Sequence, residues 1–188
     1  SIKVNITEDL DSLNNSDKII AIGSSKTIQY QYQTSAEMMS NYFKIIDESN
    51  SQDSSFILYP KDPFFSAKDI QQRLKHKLQL KELGVLLTDS TTTPLRRGVT
   101  GVALAYHGFS GVDDQRGNKD LFGRELKMTQ INQADALASA ATLMMGEGDE
   151  SSPLAIIDYK VHFDDQSKKK EIKIDPLTDI YWPLLKGF

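Results

Sequence analysis

The chain has 188 residues, a hydrophobic fraction of 39% and a formal net charge of −4. That suits one domain with an ordinary core; no apolar run approaches the roughly 18 residues of a spanning helix, and no basic face marks a nucleic-acid binder. With no cysteine, disulfides, zinc–thiolate centres and cysteine nucleophiles are excluded. A reducing compartment fits this, and the opening residues, Ser1 to Ile6, lack the apolar run of a leader, so the expected location is cytoplasmic.

Thr7-Glu-Asp-Leu-Asp-Ser-Leu carries a helix-start signal, with Thr7 as cap and Leu10 and Leu13 three apart. Residues 17–23, Asp-Lys-Ile-Ile-Ala-Ile-Gly, predict a short buried strand ending in a turn at Gly23. Residues 24–50, rich in Gln, Ser, Tyr and Asn, show no clean period. Ser55 to Tyr59 predicts a second strand, stopped by Pro60. Ser66-Ala-Lys-Asp matches a capping box, and Ile70, Leu74 and Leu78 form one apolar stripe, so a helix is expected over 67–80. Gly84 to Thr88 predicts a third, apolar strand. Residues 55–88 thus read as strand–helix–strand, the unit that favours parallel pairing.

Val99 to Tyr106 is strand-like, with Gly101 and Ala103 keeping one face thin. Residues 107–120 predict a Gly- and Asp-rich loop, and 125–129 a short strand. Asn132 to Met145 predicts a helix: Ala134, Leu137, Ala138, Ala141 and Met145 recur at helical spacing, and Gly146 is a natural stop. A flexible loop follows, then a last strand from Pro153 to Tyr159. Lys168 to Lys170, flanked by acids, reads as a solvated turn. In the tail, Leu177, Ile180, Tyr181, Trp182 and Leu184 are expected to dock on the body. No internal repeat is visible.

Several stretches carry possible chemistry. Thr88-Asp89-Ser90 ends a buried strand, where α/β sheets bind ligands; Asp89 there either holds a hard cation such as Mg²⁺ or Mn²⁺ or forms a turn with its own backbone. Thr91-Thr-Thr-Pro-Leu-Arg-Arg-Gly follows. Its hydroxyls, Thr92 among them, and its N–H groups can cradle phosphate, with Arg96 or Arg97 pairing to it; the alternative is a solvated polar loop. Between Val112 and Glu125, Asp114, Asp120 or Glu125 either joins a metal site or sits in a solvated hairpin where Arg124 and Glu125 pair locally; the acid spacing is not that of an EF-hand. Ser24-Ser25-Lys26 is placed to contact phosphate but is not a Walker loop. His76, His107 and His162 are isolated.

Taken together, residues 45–188 resemble the coenzyme F-420-0:gamma-glutamyl ligase family, closest to its bacterial branch labelled folate metabolism gamma-glutamate ligase. The matching blocks are Ile46-Asp-Glu-Ser-Asn, Leu58-Tyr-Pro-Lys-Asp-Pro, Gly84-Val-Leu-Leu-Thr-Asp-Ser and Pro94-Leu-Arg-Arg-Gly-Val-Thr-Gly-Val-Ala. Further blocks are Asp114-Gln-Arg-Gly-Asn-Lys-Asp-Leu-Phe-Gly-Arg-Glu-Leu, Asn132-Gln-Ala-Asp-Ala-Leu-Ala and Met145-Gly-Glu-Gly. The resemblance implies an α/β fold of mixed sheets with flanking helices that forms an intertwined homodimer. It implies GTP (or ATP) with Mg²⁺ or Mn²⁺, and an amide bond joining L-glutamate to a carboxylate-bearing acceptor.

Carried over, Asp89 matches the family's metal-binding Asp, and Thr129 and Gln130 fall where further ligands stand, Asp120 being another candidate. Gln130 departs from the acid that many relatives have nearby, and an amide is a poorer cation ligand. Ser25 and Lys26 match a Ser-Lys pair that contacts nucleotide. Residues 1–50 stand as a shortened or incompletely represented N-terminal lobe of a single ligase-like domain spanning 1–188. The alternative is a non-catalytic protein that binds nucleotide or a folate-like ligand. Whether the acceptor is F-420-0, a folate or another carboxylate stays open.

Overall fold

The computed structural model describes residues 3–6, 18–23, 60–150, 152–166 and 171–185. The helix-start signal at Thr7, the strand 55–59, the pair Ser25–Lys26 and the basic turn 168–170 lie outside them.

Six strands form one mixed sheet. They are β1 (Lys3–Ile6), β2 (Lys18–Gly23), β3 (Leu83–Thr92), β4 (Val99–Phe109), β7 (Leu154–Asp158) and β8 (Phe163–Asp164), in the order β1-β7-β2-β3-β4-β8. β5 (Val112–Asp114) and β6 (Gln130–Asn132) form a separate antiparallel pair. The helices are α1 (Pro63–Lys77), α2 (Gln133–Met145) and the short α3 (Trp182–Leu185). The class is mixed α/β, as expected. The parallel partner of β3 is β2, in register from Lys18↔Leu83 to Gly23↔Thr88, and α1 belongs to the connection between them.

Both faces of the sheet are covered, and alternation along the strands divides them. Ile20, Ile22, Val85, Leu87 and Ala105 pack with Ala67, Ile70 and Leu74 of α1. Ile19, Ala21, Leu86 and Ala103 pack with Ala134, Leu137, Ala138 and Ala141 of α2. Ala103 and Ala105 are two apart yet face opposite helices. The reason is a bulge: Leu87 pairs with Ala105 but Thr88 pairs with Ala103, leaving Leu104 as the extra residue. Beyond it, Gly101 presents a bare backbone to α2. A Cβ there would lie 2.5 Å from the Ala138 carbonyl oxygen and would also strike Thr142 Oγ1. The thin face read from Gly101 and Ala103 is therefore the seat of α2.

Several boundaries differ from expectation. α1 begins at Pro63, not at residue 67. Asp62 is the cap, accepting from Phe65 N at 3.0 Å, and Pro63 suits the first turn because its missing N–H needs no partner. Ser66 lies within the helix, its hydroxyl donating to the Asp62 carbonyl oxygen, and Asp69 pairs with Arg73 rather than with the cap. The stop comes at Gln79, whose φ of 54° is left-handed.

β3 runs on to Thr92 because β4 offers partners as far as Thr92↔Val99. The predicted loop 107–120 instead holds the end of β4 and all of β5, and the predicted strand 125–129 is reduced to a bridge between Lys119 and Glu125. α2 begins after its cap Asn132, which accepts from Asp135 N at 3.1 Å, and stops at Gly146 as expected. The tail does not dock: Leu177, Ile180, Tyr181 and Leu184 are exposed, and Trp182 is only half-buried. It is held at Glu171, whose carboxylate accepts from Tyr106 Oη at 2.8 Å and Gly111 N at 2.9 Å.

Gly101→Ala is expected to lower unfolding stability by about 1–3 kcal/mol, because the new methyl group meets backbone that can yield only by moving α2. Urea denaturation measures this; an unchanged midpoint contradicts the packing described.

Candidate functional site

Asp89 lies inside β3, paired with Val102 and half-buried. The turn-forming reading of this residue is thereby corrected, since an extended strand position paired to β4 forms no turn. It follows Leu87 by two residues and so faces the α1 side. Its neighbour Thr88 is fully buried, pairs with Gly23 and donates its hydroxyl to the Ile22 carbonyl oxygen at 3.3 Å. Asp89 therefore sits where β2, running parallel beside it, has just ended.

Ser90 faces the other way, toward α2. Its hydroxyl lies 2.7 Å from each carboxylate oxygen of Glu147, just past the end of α2. Glu147 escaped prediction because Gly146-Glu-Gly reads as a flexible loop. The signals were its place one residue after a helix stop and within the Met145-Gly-Glu-Gly block.

Thr92, Arg96 and Arg97 lie at or beyond the end of the β3–β4 hairpin and are exposed. The tip is a tight turn, with Arg96 N donating to Thr93 O at 3.2 Å and Leu95 and Gly98 at positive φ. At roughly 3.3 Å per residue, Thr92 already stands about 10 Å from Asp89. The hairpin thus carries the arginines away from that carboxylate, contrary to the adjacency their sequence positions suggest.

The β5–β6 arm uses its acids internally. Asp114 forms an ion pair with Arg116, whose side-chain hydrogen bonds hold its carboxyl down at about 2. Asp120 accepts from Phe122 N at 2.8 Å, Arg124 N at 2.9 Å and Arg124 Nε at 2.9 Å. Hydrogen bonds from the Arg124 backbone lead the forces that lower its pKa. Arg124 thus pairs with Asp120, not with Glu125, and its guanidinium lies 5.3 Å from the Phe122 ring centre. Thr129 is exposed and gives its carbonyl oxygen to Gln115 N. Gln130 pairs with Asp114 across the two strands, its amide 3.4 Å from that carboxylate.

These pieces do not converge in one chain. Ser90 is tied to the C-terminal end of α2 through Glu147, with Asp89 next to it in β3, whereas Thr129 and Gln130 precede the N-terminus of that helix. The 13-residue helix separates those ends by about 20 Å. Among the described residues no three His, Cys, Asp or Glu side chains form a metal-holding group. The fourfold ligand set Asp89, Asp120, Thr129 and Gln130 is thus not assembled within the single chain: Asp120 is spent on its own turn, and Gln130 lies in the other sheet.

The chain is a mixed α/β protein whose sheet carries Asp89 beside the end of β2. Residues 13–158 match the model of the F420-0:Gamma-glutamyl ligase family, and the chain belongs to that family. It is similar to the coenzyme F420:L-glutamate ligase of Methanopyrus kandleri, at 39% identity over 72% of this chain and 55% of the relative. The protein of that name from Methanocaldococcus jannaschii is 46% identical over 60% of this chain and 44% of its own. That from Haloarcula marismortui is 37% identical over 72% and 52%. The chain spans about half the length of these relatives.

The Asp120 turn supplies a pH test. Its folded pKa lies below the ordinary carboxylate value, so the turn is fully stabilised above the unfolded pKa and loses that support as pH falls through the folded one. The amide signals of Phe122 and Arg124 should therefore move toward random-coil positions below about pH 4, while Ala138 in α2 stays put. Signals that hold their positions down to pH 2 would count against the Asp120 cap.

Proposed function

We propose that the chain is part of a nucleotide- and divalent-metal-dependent ligase that adds L-glutamate to a small carboxylate-bearing acceptor. The observation that carries this reading, beside family membership, is the parallel register Gly23↔Thr88. It ends β2 at Gly23 beside Thr88, the residue that precedes Asp89. In α/β sheets that edge is where phosphorylated ligands are held. Ser25 and Lys26 are the proposed nucleotide contacts, with Thr92, Arg96 and Arg97 as further anion-binding groups from the hairpin.

The chemistry proposed needs no protein nucleophile. An acceptor carboxylate oxygen attacks the γ-phosphorus of GTP or ATP, the bond to the β-phosphate oxygen breaks, and an acyl phosphate and nucleoside diphosphate result. The amine of L-glutamate then attacks the acyl carbon, loses a proton and expels inorganic phosphate, leaving an amide. Such transfers depend on positioning and charge neutralisation. Mg²⁺ or Mn²⁺ would neutralise phosphate charge. Asp89 is the carboxylate proposed to hold it, and the described residues of one chain form no complete donor set around it.

A homodimer belongs to the same proposal. Leu121, Phe122 and Met128 on the β5–β6 arm, Leu95 at the hairpin tip, and Leu143 on α2 are large, apolar and exposed. Side chains of this kind gathered on projecting arms are what an interface buries. A second copy covering these arms also gives Thr129 and Gln130 a route to a different Asp89 from their own.

Two measurements test the reading. Incubated with GTP or ATP, Mn²⁺, L-glutamate and an acceptor such as F-420-0 or a folate, the protein should yield a product heavier by one glutamyl residue. Asp89→Asn should cut that rate by about 100-fold or more. Nucleotide binding without turnover for any acceptor would favour a non-catalytic binding protein, and an Asp89→Asn variant with full rate would remove Asp89 from the site. For the dimer, Phe122→Glu combined with Leu121→Glu should shift the mass measured by light scattering from two chains to one, and a wild-type protein of one-chain mass would refute it.

A further inference from the structure

The β5–β6 arm leaves the sheet through Ser110 and Gly111, between β4 and β5, and returns where β6 meets α2. All four backbone groups of Ser110 and Gly111 are hydrogen-bonded. Two of the bonds come from the start of α2. The Gln133 amide donates to the Ser110 carbonyl oxygen at 2.9 Å, and Ala134 N donates to that of Gly111 at 3.0 Å. These tie the exit of the arm to its re-entry. The other two run to the C-terminal part of the chain. Ser110 N donates to the His162 carbonyl oxygen at 2.9 Å, and Gly111 N donates to Glu171 Oε2 at 2.9 Å. Of the four, the bond to Glu171 is the one that reaches the tail.

Glu171 Oε2 is shared, for it also accepts from Tyr106 Oη at 2.8 Å. The core fixes where that phenol points. Tyr106 is fully buried, edge-on to Phe64 at 5.8 Å between ring centres and tilted against Phe109 at 5.3 Å. Its ring lies against Gly111, where an added Cβ would strike both the ring and Oη. Burial first, and then the hydrogen bond to Glu171, push the Tyr106 pKa up, so the phenol keeps its proton and remains a donor. Losing the one carboxylate oxygen would take an acceptor from a buried phenol and from a backbone N–H at once, a costly change. Next to Glu171, Ile172 packs against the core, whereas Ile174, Leu177, Ile180 and Tyr181 are exposed.

We infer that Glu171 is a latch that couples the tail to the β5–β6 arm. The arm is set firmly on the sheet only while the tail is seated, and the tail is seated only while Tyr106 and Gly111 hold its root. Such a coupling is reciprocal: whatever steadies one segment steadies the other. Arm and tail open together while the core stays closed, because both expose much of their apolar surface whereas the sheet is covered by α1 and α2. The inference does not depend on the ligase reading. Where that reading holds, the latch also governs how the arm presents Thr129 and Gln130.

Residue-resolved hydrogen exchange on the full chain reads the arm, and fluorescence anisotropy of Trp182, the single tryptophan, reads the tail. Glu171→Ala should speed exchange at Gly111, along Val112–Asp114 and along Gln130–Asn132 by about tenfold or more. It should also lower the Trp182 anisotropy, while Leu86 and Ala138 keep their protection. Glu171→Gln should restore most of both readings, since a single oxygen accepts both bonds and a carboxamide retains one oxygen. Tyr106→Phe, which removes one donor and little volume, should give the same pattern at smaller size. The inference is overturned if Glu171→Ala leaves the arm as protected as before, or if it loosens α2 and the sheet equally. It is also overturned if the arm opens while Trp182 keeps its anisotropy, or if glutamine does no better than alanine.

Discussion

The bulge at Leu104 governs how β3 and β4 meet both helices. One extra residue on β4 flips the faces of everything beyond it relative to the residues before. Ala105 can then fill the α1 side while Ala103 and Gly101 seat α2 on the other. Without that flip, Gly101 would turn its bare backbone to the α1 side and Val102 its branched side chain to α2. The close approach of α2 would be lost. Asp135 reinforces the seat by accepting from Ala103 N at 2.9 Å, and Ser139 does so by donating to the Gly101 carbonyl oxygen at 2.8 Å.

The candidate site depends on the same geometry. β3 is flanked on both edges, by β2 in parallel and β4 in antiparallel fashion, so its side-chain directions are tightly held. Asp89 is consequently fixed toward the α1 side and Ser90 toward Glu147 on the other. A carboxylate at the edge where a parallel neighbour ends is a familiar setting for phosphate chemistry. The arms differ in character: their polar groups are satisfied locally by Arg116, Arg124 and backbone amides, while their apolar groups are left exposed. Local polar satisfaction combined with apolar exposure is the reason these arms are the surface proposed to meet a second copy.

Much of the architecture was legible because it rests on short-range periodicity. The β2 run Ile19 to Ile22, the α2 pattern from Ala134 to Met145 and the stop at Gly146 all follow from residues that see their own neighbours along the chain. The α1 start was misplaced because two capping signals compete within four residues, and Asp62 with Pro63 prevails over Ser66 through the preset φ of proline. The length of β3 was missed because Ser90, Thr91 and Thr92 have no apolar pattern; their strand conformation comes from β4 alone. The tail reads as a docking segment by composition, yet composition does not say which surface it covers.

The sequence by itself determined the class of fold and the family, since each rests on ordered local blocks that survive without three-dimensional information, and it singled out Asp89 for the function proposed. Tertiary structure alone decided which groups meet. It joined Ser90 to Glu147 across 57 positions and Gln71 to Asp165 across 94. It also kept Thr129, Gln130, Arg96 and Arg97 away from Asp89 within the chain. Proximity along the chain is set by covalent bonds, whereas proximity in space is set by sheet register and by which helix face finds the core. For a site read from clustered polar residues, only the latter determines what can act together.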